Sequence, residues 1–266
     1  MIPQAKVLIL TPVKDASECL HSYFAGLRSL DYPPGLLSLG LLESDSTDDT
    51  FEKFQAGLDT WAGHFASARI WRKDFQFKLP PGVNRWEPRI QKNRRSVLAK
   101  SRNFLLFSAL DAHDWVLWLD VDIIEYPPDL IQRLLATGKD IVQPHCVKEF
   151  GGPTFDRNAW RDRGRLHMED MRKEGDLVEL DTVGGTALLV RADIHREGLI
   201  FPTFFLGRSI ARARRDNLCH SRFDFLRAWR GDYRGEIETE GLGIMAHEMG
   251  YRCHGMPNFE IRHRDA

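Results

Sequence analysis

The sequence lacks any apolar run that approaches the roughly 20 residues needed to cross a membrane. It also has no internal repeat and no low-complexity tract. The first apolar segment, residues 7–10, is too short for the core of a secretion signal, and no small-residue cleavage site follows it. We therefore expect no integral membrane segment and no leader or anchor.

Cysteine is scarce, with four residues that are widely separated and form no CxxC pair. This spacing argues against a zinc ribbon or a dithiol redox motif. Free thiols are typical of a reducing compartment, and we expect a cytoplasmic location.

An excess of charge of one sign is also missing. The 37 Lys and Arg residues balance 38 Asp and Glu residues, and the formal net charge is −1. A dedicated nucleic-acid binder would usually be clearly basic, so nucleic acid is not an expected partner. What the sequence does contain is 42% hydrophobic residues, among them 16 Phe and 7 Trp, enough to close a sizeable core.

Strand-like and helix-like segments alternate in the first half of the chain. Apolar runs at 6–11, 36–43, 68–75 and 115–119 predict strands, and apolar residues with helical spacing lie between them. Residues 78–95 are basic and loop-like. In the second half, 140–143 and 186–190 predict strands, whereas 147–174 and 204–235 predict long loops or short helices. This order favours an α/β fold with a doubly wound, mainly parallel sheet covered by helices on both faces.

The most informative motif is an acidic pair, Asp120 and Asp122, directly after the apolar strand 115–119. Carboxylates at the end of such a strand lie where open α/β sheets bind ligands. Oxygen ligands of this kind suit Mg²⁺ or Mn²⁺, which can neutralise a diphosphate. Taken alone, an Asp-x-Asp pair more often caps a helix or lies in solvent.

Other polar residues follow the neighbouring strands and are candidates to bind a nucleotide. The segment after the first strand supplies Thr11, Pro12, Val13 and Asp15, and the segment after the second supplies Glu43 and Asp45. Helix capping is the alternative role for the acidic residues. Arg102, in the helix before the acidic pair, could contact ribose, phosphate or the pair itself.

These motifs resemble the nucleotide-sugar glycosyltransferases of the GT-A fold, and more closely the fungal mannan-polymerase α-mannosyltransferases of glycosyltransferase family 62. The similarity spans nearly the whole chain and is carried by five stretches, at 115–127, 155–160, 179–186, 238–243 and 250–263. It implies one GT-A domain over 1–266, with a nucleotide-binding half at 1–122 and an acceptor-binding half at 123–266. Two departures stand out: we expect no N-terminal anchor of the kind that fungal members carry, and 208–234 is expanded, with eight arginines against three aspartates.

The resemblance also implies a GDP-mannose donor, a divalent metal (usually Mn²⁺) and retention of the anomeric configuration. Asp122 takes the position that usually binds the metal, and Asp120 the position that contacts ribose or the metal and its water. His263 takes the place of a C-terminal histidine that often completes the metal shell.

Further candidates for cofactor binding and for catalysis lie in the third and fourth stretches. Gly184 and Gly185 would let backbone approach the sugar or acceptor, unless they simply form a tight turn. Thr239 stands where common inverting enzymes carry a catalytic Asp, and a hydroxyl is a poor base at neutral pH. We therefore expect a retaining enzyme in which Glu238 or Glu240 positions the acceptor or steadies the oxocarbenium ion.

Three alternatives stay open. The donor could be a UDP-sugar or another GDP-sugar. A sugar-1-phosphate nucleotidyltransferase would share the fold type, but its Gly-rich N-terminal signature is missing. A non-catalytic protein could use 208–234 to bind an anionic polymer or a lipid phosphate. The expected acceptor is a glycan or glycolipid, with peripheral membrane association as an option, and the oligomeric state is open.

Overall fold

A computed structural model describes residues 5–84, 87–207 and 235–264 of the chain. Its centre is a nine-stranded mixed sheet. The strands are β1 (Val7–Val13), β2 (Leu37–Glu43), β3 (Ser67–Arg72), β4 (Trp115–Leu119), β5 (Ile123–Glu125), β6 (Ile141–Val147), β9 (Val178–Leu180), β10 (Ala187–Arg191) and β11 (Cys253–His263). Their order in the sheet is β3-β2-β1-β4-β10-β6-β11-β5, and β9 pairs with β11. A separate hairpin pairs β7 (Trp160–Arg161) with β8 (Leu166–His167).

Apolar side chains on both faces of the sheet explain why its strands read as continuous hydrophobic runs. In β1, Val7 and Ile9 enter one core, whereas Leu8 and Leu10 enter the other. Strand β4 divides in the same way, since Leu117 belongs to the first core and Trp118 to the second. A sheet with two buried faces must be covered by helices on each side.

The helices supply that cover. The first core contains buried residues of α1 (Leu20–Ser29), α2 (Thr50–Trp61) and α4 (Leu130–Ala136). The second contains those of α3 (Pro88–Ala109), α5 (Ala192–Arg196) and α6 (Glu238–Glu248). The predicted doubly wound α/β fold is confirmed. No helix within the described ranges is both long and apolar enough to span a bilayer.

The two halves of the sheet differ in strand direction. Strands β3, β2, β1 and β4 are parallel neighbours, whereas β10 runs antiparallel to both β4 and β6. The long strand β11 pairs with β6 in parallel and with β5 and β9 in antiparallel fashion. Through these pairings β11 carries the C-terminal residues back to the end of β4.

The structure corrects three boundaries. Residues 88–95 were expected in a basic loop, but α3 begins at Pro88, because a proline in the first helical turn needs no amide partner. Strand β6 continues to Val147, well past 143, and β3 ends at Arg72 rather than 75. The thiols of Cys19, Cys146 and Cys253 are free as expected, and Cys219 lies outside the described residues.

Candidate functional site

A cavity of about 330 Å³ opens at the carboxyl ends of β1, β2 and β4. This is the edge where an open α/β sheet binds its ligand. The wall brings together seven residues that the sequence predicted for nucleotide or metal: Pro12, Val13, Asp15, Asp45, Arg102, Asp120 and Asp122. Residues that the sequence reasoning did not select complete it, among them Lys14, Ser44, Phe77, Leu79, Arg94, Val97, Leu98 and Ser101.

Arg102 is the central cation of the site. Its side chain is 5% exposed, and its Nη2 donates to Asp120 Oδ1 at 3.0 Å, while its Nε lies 3.2 Å from Glu238 Oε1. Burial lowers the pKa of Arg102, but the charges of Asp120 and Glu238 outweigh it and hold the pKa above its usual value. Its Nη1 is buried and has no hydrogen-bond partner among the described residues.

Asp120 lies in an unfavourable place for a carboxylate. Burial raises its pKa to about 7; Arg102 opposes the shift, while the charges of Asp122 and Asp156 add to it. The carboxylates of Asp120, Asp122 and Asp156 therefore lie close enough for the charges of the other two to disfavour ionisation of Asp120. A divalent cation would stabilise such a cluster.

Asp122 and His263 form the second part of the acidic site. The Nε2 of His263 lies 3.0 Å from Asp122 Oδ2, and the imidazole stacks on Phe155 with 3.8 Å between ring centroids. Burial lowers the pKa of His263, but the hydrogen bond and charge of Asp122 more than offset this and raise it. The backbone also ties these segments together, since Arg264 donates its amide to the carbonyl of Asp122.

The donor set of Asp120, Asp122 and His263 fits a divalent cation in its chemistry. Carboxylate oxygens with one imidazole nitrogen suit Mn²⁺. The described residues contain no group of three or more His, Cys, Asp or Glu side chains already arranged as a metal site. Asp122 and His263 are hydrogen-bonded to each other through a proton on the imidazole. A cation that binds both side chains would displace this proton.

The two predicted catalytic glutamates lie at the start of α6 and are each paired with arginine. Glu238 is 4% exposed and contacts Arg102, whereas Glu240 Oε2 lies 2.5 Å from Arg95 Nη1. Glu240 Oε1 also accepts a bond from Trp160 Nε1 at 2.8 Å. The chain of alternating charges thus runs from Glu240 through Arg95, Glu238 and Arg102 to Asp120. Arg95 was missed because the sequence placed it in a loop.

Asp156 is a further residue that sequence reasoning did not select, although it lies in one of the stretches that carry the resemblance. Its Oδ2 accepts from the amides of Gly185 (2.8 Å) and Thr186 (3.2 Å) and from Thr186 Oγ1 (3.0 Å). A Cβ on Gly184 would lie 1.9 Å from that oxygen, and one on Gly185 would lie 2.5 Å from Arg102 Nη2. Close internal packing therefore requires glycine at both positions.

Two predicted donor-binding residues lie beneath the cavity instead of on its wall. Thr11 is fully buried, and its hydroxyl donates to the carbonyl of Leu119 and contacts Tyr23 Oη, both at 2.6 Å. Glu43 is fully buried as well, accepts from the amide of Ser46 at 2.9 Å and contacts Arg72 Nε at 3.1 Å. Both side chains hold the strand ends in place.

Three candidate residues have left-handed backbone: Asp15, Asp45 and Glu238, with φ of 45°, 56° and 60°. Residues other than glycine rarely adopt this conformation. It persists where the surrounding structure holds the backbone in place, often at functional sites. Asp15 accepts from the amide of Thr47 at 2.7 Å, and the amide of Glu238 donates to the carbonyl of Pro202 at 3.0 Å.

Comparison with solved structures defines the class. A mannosyltransferase from Pyrobaculum calidifontis, PcManGT, solved in complex with GDP-Man and Mn²⁺, matches 97% of this chain and 56% of its own chain with a TM-score of 0.58. The sequence identity is 14%, so the likeness establishes the fold alone. The fold is that of the GT-A glycosyltransferases.

The family follows from the sequence comparisons. The Anp1 family profile matches residues 2–166 and 162–205, and the chain belongs to the Anp1 family. The anp1 subunit of mannan polymerase II from Schizosaccharomyces pombe is 27% identical over 98% of this chain and 64% of its own length. The mnn9 subunit from the same yeast is 29% identical, with 98% and 80% covered. The predicted resemblance is confirmed, and the chain spans less than two thirds of the length of the anp1 subunit.

Proposed function

We propose that the chain is a metal-dependent retaining glycosyltransferase that moves mannose from GDP-mannose to a glycan or glycolipid acceptor. Family membership and fold support a glycosyltransferase. The names of the relatives, which are mannan polymerase subunits, and the GDP-Man in the similar solved structure favour mannose and guanine.

The buried guanidinium of Arg102 carries the proposal. It lines the cavity beside Asp120, and its Nη1 has no hydrogen-bond partner among the residues described. A buried charged donor without a partner is costly, so a ligand that supplies an acceptor oxygen gains a strong hydrogen bond. The diphosphate of a nucleotide sugar supplies such oxygens.

Asp120, Asp122 and His263 would hold the divalent cation. When bound, the cation would stabilise the negative charge that develops on the leaving diphosphate. Arg102 orients the donor. Glu238 and Glu240, which are held by arginines at the start of α6, place carboxylates near the reacting sugar. In a retaining transfer the bond from the sugar to phosphate breaks, the acceptor oxygen bonds to the same carbon, and the departing phosphate takes the acceptor's proton.

Glu238 and Glu240 keep the role predicted for them, to steady the oxocarbenium ion or position the acceptor. Arg102 and Arg95 hold the two carboxylates in defined positions. Glu240→Gln should lower kcat, whereas wild-type transfer by this variant would remove Glu240 from the mechanism.

The test is a transfer assay with purified chain, Mn²⁺, GDP-mannose and a mannoside acceptor. Release of GDP and an NMR spectrum of the product report the activity and the anomeric configuration. We expect an α-mannoside and dependence on metal. Activity with UDP-glucose but not GDP-mannose would change the donor, and an inverted product would overturn the retaining mechanism.

Metal binding is tested separately by thermal shift with GDP and UDP, with and without Mn²⁺. We expect a nucleotide to stabilise the wild type only with metal, and Asp122→Ala to lose that stabilisation. Exposed Asp59 is a matched control, and Asp59→Ala should behave as wild type. The alternative of a non-catalytic binder depends on 208–234, which lies outside the described residues.

A further inference from the structure

The outer wall of the cavity is a segment that no sequence motif pointed to. After β3 ends at Arg72, residues 73–79, here called the strap, pass along the cavity mouth and contribute Phe77 and Leu79 to its lining. Phe77 is half-buried, and Leu79 is 38% exposed. Apolar side chains left open beside a polar site need a ligand with an apolar face.

Asp45 fixes the strap. Its Oδ2 accepts from the amide of Phe75 at 3.1 Å, and its Oδ1 accepts from the amide of Gln76 at 2.8 Å. Its own amide donates to Asp74 Oδ1 at 3.0 Å. Both carboxylate oxygens are therefore occupied by the strap backbone, and Asp45 acts on the cavity through the strap.

Helix α3 shows that the cavity has an apolar and a charged part. Arg94, Val97, Leu98, Ser101 and Arg102 line it from one face of the helix. Arg102 contacts Asp120 of the acidic pair, and Val97 and Leu98 lie about one turn closer to the N-terminus, roughly 6–8 Å along the axis. Val97 and Leu98 therefore form an apolar part of the lining between two arginines, and the strap adds Phe77 and Leu79 to the apolar lining.

We propose that the base of the donor nucleotide stacks on Phe77, and that Asp45 is a positioning residue that holds this wall in place. The assignment rests on the proposed function, because it assumes a nucleotide with its diphosphate at the Arg102 end. Stacking uses the face of a ring, and the phenyl ring of Phe77 has no hydrogen-bonding group that would distinguish guanine from uracil.

The first experiment compares binding of GDP and of inorganic diphosphate, each with Mn²⁺, to the full chain by titration calorimetry. Loss of one base–aromatic stack weakens binding about 5- to 150-fold. We expect Phe77→Ala to raise the Kd for GDP within that range and to leave the Kd for diphosphate within twofold. Phe77→Tyr keeps the ring and should bind GDP as the wild type does.

Phe107 provides a matched control. It lies on α3 and is 68% exposed, and it does not line the cavity. Phe107→Ala should therefore bind both ligands with wild-type affinity.

Asp45 is tested with two variants. Asn tolerates left-handed backbone and keeps one acceptor oxygen, so Asp45→Asn should bind GDP more tightly than Asp45→Ala. Both variants should keep the wild-type Kd for diphosphate. An equal loss for GDP and diphosphate would show a general collapse of the cavity and overturn the positioning role.

The outcomes separate this inference from the function on which it rests. If the wild type binds neither GDP nor UDP, both fail. If it binds GDP and Phe77→Ala binds GDP equally well, the stacking assignment fails and the proposed function stands. If Phe77→Ala loses affinity for diphosphate as well, the base assignment is also overturned.

Discussion

At the scale of single residues, burial changes the protonation of His195. His195 is 4% exposed; Trp118 Nε1 lies 3.4 Å from its Nε2, and its Nδ1 lies 2.7 Å from the carbonyl oxygen of Leu199. Burial lowers its pKa to about 4 from the usual 6.5. Between these two pH values the unfolded chain binds more protons than the folded one, so this histidine makes stability rise with pH.

We predict that His195 contributes to acid lability. The contribution of neutral His195 to the free energy of unfolding is present above pH 6.5 and is lost as the pH falls toward 4. The total loss over this range is about 3 kcal/mol. Urea unfolding should show a shallower dependence on pH for His195→Gln than for the wild type across this window. His21 is exposed, and His21→Gln is the control with the wild-type dependence. Parallel curves for His195→Gln and wild type would contradict the prediction.

A second prediction at this scale concerns Gly184. A Cβ there would push Asp156 away from the amides of Gly185 and Thr186 and leave buried groups unpaired. Gly184→Ala should lower the free energy of unfolding by about 2–3 kcal/mol. Gly35 has no atom within 4 Å of an added Cβ, so Gly35→Ala should be neutral or slightly stabilising. Urea unfolding at fixed pH measures both.

Among the elements, α3 connects the most parts of the site. One face of this helix presents Val97 and Leu98 to the cavity, and Arg95 and Arg102 connect it to the start of α6. Arg95 is held by Glu238, Glu240 and the carbonyl of Ile237. Burial lowers the pKa of Arg95, but the charges of the two glutamates outweigh this and raise it, so the cation is stable in place.

We predict that Arg95 is essential for docking α6 onto α3. Arg95→Ala leaves Glu240 without its ion-pair partner in a largely buried place, while Glu238 keeps its contact with Arg102, and the loss should cost about 3–5 kcal/mol of stability. Lys92 lies on the exposed side of the same helix, and Lys92→Ala should change stability by less than about 0.5 kcal/mol. Chemical denaturation measures the difference, and equal stability of the two variants would argue against the docking role.

At the scale of the whole molecule, one sheet joins the two halves of the chain. Strand β4 from the first half pairs with β10 from the second, in register from Leu119–Ala187 to Trp115–Arg191. The division at 122 therefore crosses a continuous ladder, and the assignment of one half to the nucleotide and the other to the acceptor stays a prediction. Residues of both halves, such as Asp122 and His263, meet at one site.

We predict that the chain unfolds in one cooperative transition. Tryptophan fluorescence and far-UV circular dichroism should give coincident urea curves, because neither half closes its core without the other. A fragment of residues 1–122 exposes the edge of β4 and should lack the near-UV signal of fixed aromatic packing. Two separate transitions, or a folded fragment, would contradict the prediction.

Much of the fold and part of the site could be predicted because they depend on local patterns. Strand β4 was predicted with its observed bounds. An apolar run followed by two aspartates can be recognised in the sequence without knowledge of the strands that pair with it. The pairing of Arg102 with Asp120 was among the contacts considered. Arg95 and Asp156 were missed, because their partners Glu240 and Gly185 are far away in the chain. Phe77 was missed because it belongs to no motif.

The sequence by itself determined the alternation of strands and helices, the position of the acidic pair and the family resemblance. These follow from the spacing of apolar residues and from motifs that are contiguous in the chain. The tertiary structure decided which charges neutralise each other and which carboxylates are already occupied, as Asp45 is by the strap. Those outcomes depend on distances and burial, which arise only when segments far apart in the chain meet at the edge of the sheet.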